Sequence, residues 1–352
     1  MKKILFLGGD WIENIRESGY INKLREEFDD QIDYITFQNG GTAEQLEEHL
    51  NSVIEYEVVL WFVNIPNTYE KTVHRIKEIN KKVLLVTSKN NLDSRYSYME
   101  LVSRMLSVKS NLMLEFRKEN GKIVGSLLDP LNNAYCMKEP DIHKVAATLL
   151  ARIDELMNFT RVGSKQVGEA LSVPDETEFF EIGKRLAGTF HTLIHPEHTE
   201  RFLGNMSFRC ENGFPSFRKD DYVYVSRRNI DKRLIGKDGF VAVNMPLVDT
   251  VEYYGSAKPS VDAPIQIMLY SIYFNVHYMI HSHVYIKDAP MTDCVVPCGS
   301  LEEVAAIGMV WKNHSFTDFA VNLRGHGSLV LASDLGYFNQ IEYIARPNPE
   351  IQ

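Results

Sequence analysis

The sequence has few of the features that mark membrane, secreted or nucleic-acid-binding proteins. No apolar run in its 352 residues approaches the ~20 residues that a membrane-spanning helix needs. Its four cysteines are too few and too scattered for a disulfide framework. Because 38 Lys and Arg residues face 47 Asp and Glu residues, no basic surplus is present to neutralise the phosphates of a nucleic acid or an anionic membrane. These absences predict a cytoplasmic protein that binds neither nucleic acid nor a membrane.

The first half of the chain also lacks the glycine-rich motifs of nucleotide-binding domains. Neither GxGxxG nor a Walker pattern occurs there, so a dinucleotide or nucleoside triphosphate site is unsupported. Short apolar runs instead alternate with helical stretches, an order typical of a parallel sheet covered on both faces. The clearest runs are residues 3–7, 58–63 and 83–86. We predict that residues 1–160 form an open parallel-sheet, Rossmann-like α/β domain.

The role of this first domain is left open by the sequence. In open α/β sheets, ligands bind beyond the carboxyl ends of the strands, which predicts candidate positions at 8–10, 39–42, Asn64 and 87–89. However, Thr42 and the glutamine three residues later form a capping box, which explains that segment without a ligand. A small-molecule site and an assembly-forming role are both allowed.

A polar stretch separates this domain from a second α/β pattern. We predict a linker over residues 161–178 and a second domain over 179–352. One helix of the second domain is predicted to begin at Asp262-Ala263-Pro264, because proline favours the first turn. Another is predicted after Ser300-Leu301-Glu302-Glu303, which has the pattern of a capping box.

Three histidines of the second domain are candidate metal ligands. His281 and His283 lie in a predicted strand, residues 276–284, where positions i and i+2 share a face. His326 lies between two glycines at a predicted turn between apolar strands. Two imidazoles on one face and a third from elsewhere can form a tetrahedral zinc site. Alone, the HxH pattern is equally well explained as an ordinary pair of strand histidines.

Four motifs in order resemble those of the class II aldolase/adducin family. They are GNMSFR at 204–209, KPSVD at 258–262, HSH at 281–283 and GHG at 325–327. The resemblance covers about residues 175–352. It implies an αβα domain with a divalent metal, usually Zn²⁺, on His281, His283 and His326. It also implies a homo-oligomer, commonly a cyclic tetramer with sites near the subunit interfaces.

The same resemblance implies roles for several other residues. Asp262 stands at the position of the family's catalytic carboxylate, where it would shuttle a proton; the alternative is that it only caps the helix that follows. Asn205 and Ser260 would contact a substrate oxygen or phosphate. Arg228 and Asn229 stand where the family has Thr-Gly. Arg227 and Arg228 suit phosphate or carboxylate, unless both are solvated surface residues.

Two further pairs of residues are ambiguous in the sequence. Some family members draw a late tyrosine into a neighbour's site, so Tyr337 and Tyr343 are candidate proton donors, although their apolar surroundings favour core packing. Cys294 and Cys298 lack a matching second pair, and we interpret them as strand residues that are not metal ligands.

Together these features predict a zinc-dependent lyase of the aldolase type. Its expected substrate is a small, phosphorylated or carboxylated, sugar-like carbonyl compound that is cleaved through a metal-stabilised enediolate. A 4-epimerase, a dehydratase or a decarboxylase would need the same metal and proton shuttle, although Asp288 and Asp293 do not match the aspartate motif of the epimerases. A non-catalytic scaffold resembling adducin is the alternative from outside the enzymes.

Overall fold

The computed structural model describes residues 4–8, 20–29, 35–39, 51–62, 70–80, 83–194, 202–209, 222–312 and 318–347. The chain forms two compact units, and the division between them falls after Asn158. Within the described residues, no helix is both long enough and apolar enough to cross a membrane. The predicted positions at 9–10, 40–42 and Asn64 lie outside the described residues.

The N-terminal unit is built on a seven-stranded mixed sheet. Its strands are β1 (Ile4–Gly8), β2 (Ile35–Asn39), β3 (Val58–Phe62), β4 (Leu84–Asn90), β5 (Leu112–Glu119), β6 (Lys122–Leu128) and β7 (Ala134–Glu139). They lie in the order β2-β1-β3-β4-β5-β6-β7. The first five are parallel, and β6 and β7 are antiparallel to their neighbours. The prediction of a purely parallel sheet was therefore wrong for its last two strands.

Four described helices accompany this sheet: α1 (Tyr20–Asp29), α2 (Glu70–Ile79), α3 (Tyr98–Val108) and α4 (Ile142–Asn158). A capping box closes the start of α3, since the Ser97 hydroxyl accepts from Glu100 N and the Glu100 carboxylate accepts from Ser97 N. The predicted ligand position at 87–89 lies inside β4 rather than beyond its end. There the Thr87 hydroxyl donates to Ser110 Oγ at 3.0 Å, as part of the packing of the unit.

The C-terminal unit is built on an eight-stranded sheet. Its strands are β8 (Gly163–Gly168), β9 (Asn205–Arg209), β10 (Val223–Ser226), β11 (Phe240–Leu247), β12 (Thr250–Tyr254), β13 (Tyr278–Ser282), β15 (Phe319–Leu323) and β16 (Gly327–Ala332). They lie in the order β15-β16-β13-β9-β10-β11-β12-β8. A separate pair is formed by β14 (Tyr285–Ile286) and β17 (Tyr343–Ile344). The predicted linker 161–178 is therefore partly a strand, because β8 pairs in parallel with β12.

Helices cover both faces of this sheet. They are α5 (Thr177–Ile194), α6 (Ala263–Ile272) and α7 (Glu302–Trp311). Apolar side chains of α6 and α7 share one buried cluster with one face of the sheet. Side chains of α5 share a second cluster with the opposite face and with the 3₁₀ helix Leu335–Gln340. The unit thus has three layers, as the resemblance implied.

The core beneath α5 is aromatic and centres on Phe208. Its side chain is fully buried on β9, and the preceding strand residue, Ser207, belongs to the opposite face because side chains alternate. The Phe208 ring stacks on Tyr224 with centroids 5.1 Å apart and meets Phe240 edge-on at 5.2 Å. Phe179 of α5 lies 6.0 Å away. These contacts hold α5 on β9, the strand that begins at Asn205.

We predict that Phe208→Ala destabilises the C-terminal unit by about 3–5 kcal/mol, because it removes a fully buried ring from a packed cluster. Leu234→Ala is the matched control, since Leu234 is 80% exposed. Hydrogen exchange of the β9 and β10 amides in increasing urea measures the loss in the free energy of unfolding. Equal effects of the two substitutions would show that Phe208 does not anchor this face.

Candidate functional site

Two of the predicted histidines lie at the end of β13. His281 is inside the strand and buried, whereas His283 follows it and stays partly exposed. The strand ends at Ser282, so the predicted strand 276–284 was too long on both sides. Its pairing continues to this end, where Ser282 lies opposite Ser328 of β16. The imidazoles of His281 and His283 therefore lie where the paired strands β13 and β16 end.

The third histidine comes from the hairpin between β15 and β16. His326 lies in the turn directly before β16 and is completely buried. Gly327 follows it with φ +148°, and a Cβ there would overlap Ser282 O and the His283 backbone. Only glycine therefore allows the hairpin to approach the end of β13 this closely.

The structure brings the three imidazoles together. The ring centroids are 5.0 Å apart for His281 and His283, 4.5 Å for His281 and His326, and 5.1 Å for His283 and His326. One ring nitrogen from each lies within 4.8 Å of the others. This spacing suits a shared divalent cation, since nitrogens about 2.0–2.1 Å from a tetrahedral ion lie about 3.4 Å apart.

Hydrogen bonding fixes the ring of His281 in an orientation suited to a ligand. Its Nδ1 donates to Ser328 O at 2.9 Å, because a carbonyl can only accept. The opposite nitrogen, Nε2, therefore carries a lone pair, and it is buried with no hydrogen-bond partner among the described residues. Burial lowers the pKa of His281 to about 4. Burial and His281 hold the pKa of His283 well below its ordinary value. Both rings are thus neutral at physiological pH.

His326 is oriented by a buried carboxylate that the sequence did not single out. Its Nδ1 donates to Glu303 Oε1 at 2.9 Å, and both side chains are almost completely buried. A carboxylate behind a ligating histidine fixes the ring and raises its basicity. Although burial opposes it, Cys298 and Glu303 raise the pKa of His326 well above its ordinary value. The predicted capping box was wrong, because α7 has no side-chain cap and Glu303 faces the histidine.

Asp262 lies at the start of α6 but does not cap it with its side chain. Its Oδ2 accepts from Asn205 Nδ2 at 2.9 Å and lies 3.8 Å from His281 Nε2. Its Oδ1 is buried and has no hydrogen-bond partner among the described residues. Asn205 in turn accepts from Gln266 Nε2. The amide predicted to bind substrate is therefore shared between Asp262 and Gln266.

Cys298 also lies at this cluster, and its interpretation as a strand residue was wrong. It occupies a turn, and Cys294 an exposed bend. The Cys298 Sγ is 3.2 Å from His326 Nε2. Asp262, Cys298 and His326 form a second group whose ligand atoms lie within 4.8 Å of one another.

The other predicted substrate residues lie beside Asp262 in the fold. Arg227 forms a bridge with Pro259, and Arg228 N donates to Lys258 O at 2.9 Å. Ser260 N donates to Ser226 O at 3.1 Å, which anchors the turn that leads into Asp262. Arg228 is exposed and donates from Nε to Pro259 O.

A cavity beside the cluster contains a lysine that the sequence analysis missed. Its polar lining residues are His191, Asn205, Asp231, Lys232 and His281, and the rest of the lining is mainly apolar. Lys232 Nζ donates to Phe202 O at 2.8 Å. Burial lowers the pKa of Lys232 to about 8, which leaves it mostly charged at neutral pH.

The tyrosines near the C-terminus belong to the core beneath α5. Tyr337 and Tyr343 both pack against its buried cluster. The Tyr343 ring meets Phe190 edge-on with centroids 4.8 Å apart, and burial raises its pKa far above the ordinary value. Within this chain the packing interpretation of these tyrosines is the one that the structure favours.

The residues that the sequence analysis missed carried weak sequence patterns. Glu303 and Gln266 face inward from helices, and their inward position only became visible with the fold. Lys232 lies in a short 3₁₀ helix, Lys232–Leu234. Cys298 was visible in the sequence, but without a matching second pair of cysteines it was not interpreted as a ligand.

Two solved structures are weakly similar to this chain. The DNA/pantothenate metabolism flavoprotein from Streptococcus pneumoniae is 11% identical, with a TM-score of 0.34, over 44% of this chain and 100% of that chain. CetZ from Methanosaeta thermophila is 11% identical, with a TM-score of 0.24, over 97% of this chain and 90% of that chain. Neither likeness supports a conclusion about function. A search of curated proteins gave no match.

A family model matches part of the C-terminal unit. The model for the class II aldolase and adducin N-terminal domain matches residues 184–286, a region that includes Asn205, Asp262, His281 and His283. His326 lies beyond the match and joins the cluster through the fold. The N-terminal region has no family match. The C-terminal part of this chain therefore carries a domain of the class II aldolase and adducin family.

Proposed function

We propose that this protein is a zinc-dependent lyase that cleaves a small hydroxylated carbonyl compound in an aldol-type reaction. The observation that supports this most directly is the convergence of His281, His283 and His326, whose ligand nitrogens lie within 4.8 Å of one another. The family domain supports the same class of chemistry.

The residues present fit a divalent ion. His281 Nε2 is buried without a hydrogen-bond partner among the described residues, and Glu303 fixes His326 with its Nε2 turned away from the carboxylate. Three imidazoles supported by a carboxylate form the donor set of several catalytic zinc sites. When bound, the ion supplies Lewis-acid polarisation of a carbonyl and charge stabilisation of an enediolate.

Asp262 is the proposed proton shuttle. Asn205 holds its Oδ2, so that the buried Oδ1 is the oxygen available to a substrate. In the cleavage direction, Oδ1 takes the proton of the hydroxyl group whose carbon becomes a carbonyl. The adjacent carbon–carbon bond then breaks, and its electron pair passes into the enediolate of the other fragment. Asn205 and Gln266 keep the carboxylate in place throughout.

The substrate is proposed to carry an anionic group. Lys232 lines the cavity beside His281, and an ammonium group has three donors, of which Phe202 O takes one. A phosphate or carboxylate would take another. Ser260 lies on the segment that ends at Asp262, and Arg227 forms a bridge with Pro259 of the same segment. We propose both as further substrate contacts, together with Arg228 and Asn205. A homotetramer, as the family resemblance implies, is part of this proposal.

The N-terminal unit is proposed to be a doubly wound domain of the Rossmann-like class. Its five parallel strands follow the order β2-β1-β3-β4-β5, which is the order of the flavodoxin-like branch of such folds. In those folds a ligand binds where the strand order reverses, here between β1 and β3.

We predict that the purified protein contains about one zinc ion per chain. His281→Ala and His326→Ala should each lose that ion, because each removes a ligand. His143→Ala is the control, since His143 is an exposed residue of the N-terminal unit. Metal analysis by mass spectrometry after dialysis measures the content. A well-folded wild-type protein that takes up no divalent metal would contradict the lyase and leave the scaffold resembling adducin.

Replacing Glu303 should weaken zinc binding without abolishing it. Glu303→Gln is expected to lower the zinc affinity about 10–100-fold, since it removes the charge that orients His326. Glu302→Gln is a matched control, because Glu302 accepts from Thr160 N at 3.0 Å and does not contact a histidine. Competition with a chromogenic chelator gives both affinities. Equal zinc affinities in the two variants would show that Glu303 does not support zinc binding.

Replacing Asp262 should separate catalysis from metal binding. Asp262→Asn is expected to keep its zinc but lower kcat about 10²–10⁴-fold, because the amide cannot accept the proton. Asp238→Asn, at an exposed position, is the control. The assay is a screen of ketose phosphates and sugar acids with products identified by mass spectrometry. Unchanged turnover in Asp262→Asn on a cleaved substrate would rule out Asp262 as the shuttle.

A further inference from the structure

We propose that Cys298 is a fourth protein ligand of the ion, so that the site is built for a borderline or soft metal such as zinc. This inference rests on the proposed metal site and adds a thiolate to its donor set. The substrate would then add as a fifth ligand, since catalytic zinc sites can expand to five-coordinate. The Cys298 Sγ lies 3.2 Å from His326 Nε2, the same nitrogen that the Glu303 contact leaves for a ligand role.

The distance matches what two ligands of one ion require. With Zn–N of about 2.0–2.1 Å and Zn–S of about 2.3 Å, a tetrahedral ion places nitrogen and sulfur about 3.6 Å apart. The observed 3.2 Å lies within about 0.4 Å of that value, and a small rotation of the cysteine side chain covers the difference. The thiol proton shared with Nε2 leaves when an ion takes its place, because thiols bind metals as thiolates.

The cysteine does not stand alone at this position. Asp262 and His326 share a second group of potential ligands with it, and Asp262 Oδ1 is buried without a hydrogen-bond partner among the described residues. His281, 3% exposed, directs a lone pair into the same cluster from Nε2, which lies 3.8 Å from Asp262 Oδ2. The thiol thus lies among buried potential ligand atoms, two of which have no hydrogen-bond partner among the described residues.

The backbone holds Cys298 at this place. The next residue, Gly299, has φ +79°, and a Cβ there would lie 2.7 Å from Val261 O. Ser300 N donates to Pro297 O at 3.2 Å and closes the turn. The turn therefore packs directly against Val261, the residue before Asp262. This packing holds the Cys298 thiol beside the Asp262 carboxylate.

A thiolate in the donor set has a consequence for metal selection. Soft thiolate ligands favour zinc and cobalt over magnesium and manganese, which prefer oxygen. The full-length protein should accordingly bind Zn²⁺ and Co²⁺ with much higher affinity than Mg²⁺. Cys298→Ser should lower zinc affinity by more than the roughly 10–100-fold that loss of a supporting contact costs.

The test uses full-length protein loaded with Co²⁺, whose thiolate-to-metal charge-transfer absorption reports a bound sulfur. We expect this band in the wild type and in Cys294→Ser, where the replaced thiol is exposed, and we expect its loss in Cys298→Ser. A band of undiminished strength in Cys298→Ser would overturn the inference.

X-ray absorption of the wild-type zinc protein keeps the test independent of whether Cys298→Ser folds. A sulfur scatterer at about 2.3 Å is the expected result. A shell of nitrogen and oxygen alone around one bound ion would overturn the role of Cys298 and leave the proposed lyase standing. Failure of the wild type to take up any ion would overturn both, so the two proposals fail in different ways.

Discussion

The whole site depends on the close approach of two backbone segments at Gly327. The hairpin that carries His326 pairs with the end of β13, and a side chain at Gly327 would overlap Ser282 O. Because this pairing continues to Ser282 and Ser328, the Ser328 carbonyl is in place to fix the His281 ring. One residue without a side chain therefore determines both the meeting of the histidines and the orientation of one of them.

Around that contact, buried polar groups are tied together in two short chains. Glu303 holds His326 from one side, and Gln266, through Asn205, holds Asp262 from the other. The carboxylates come from the first turn of α7 and from the residue before α6, where helix dipoles favour negative charge. The start of each of two helices on one face of the sheet thus supplies an acid, whereas β13, the residue after it and the turn before β16 supply the histidines. The three-layer fold is what brings the two sets together.

Sequence patterns predicted the strand part of this site better than the helical part. The alternation along β13 and the glycines around His326 are local features that persist in the fold. Glu303 lies 23 residues from His326, and its local pattern favoured a helix cap, which a tertiary contact replaced. Cys298 lies 28 residues from the same histidine in a turn without periodicity. The antiparallel β6 and β7 were missed as well, because their apolar residues follow no pattern that separates them from parallel strands.

The energetics of the cluster argue for a cation at its centre. His281 Nε2 and Asp262 Oδ1 are both buried without a hydrogen-bond partner among the described residues. Each such atom costs roughly 1–3 kcal/mol, so the pair costs roughly 2–6 kcal/mol out of a typical folding stability of about 5–15 kcal/mol. Apolar residues of similar size would avoid that cost, which makes the cluster a poor choice for packing alone. A divalent ion bound to the folded chain would offset the cost, because its binding free energy adds to the stability of the folded state.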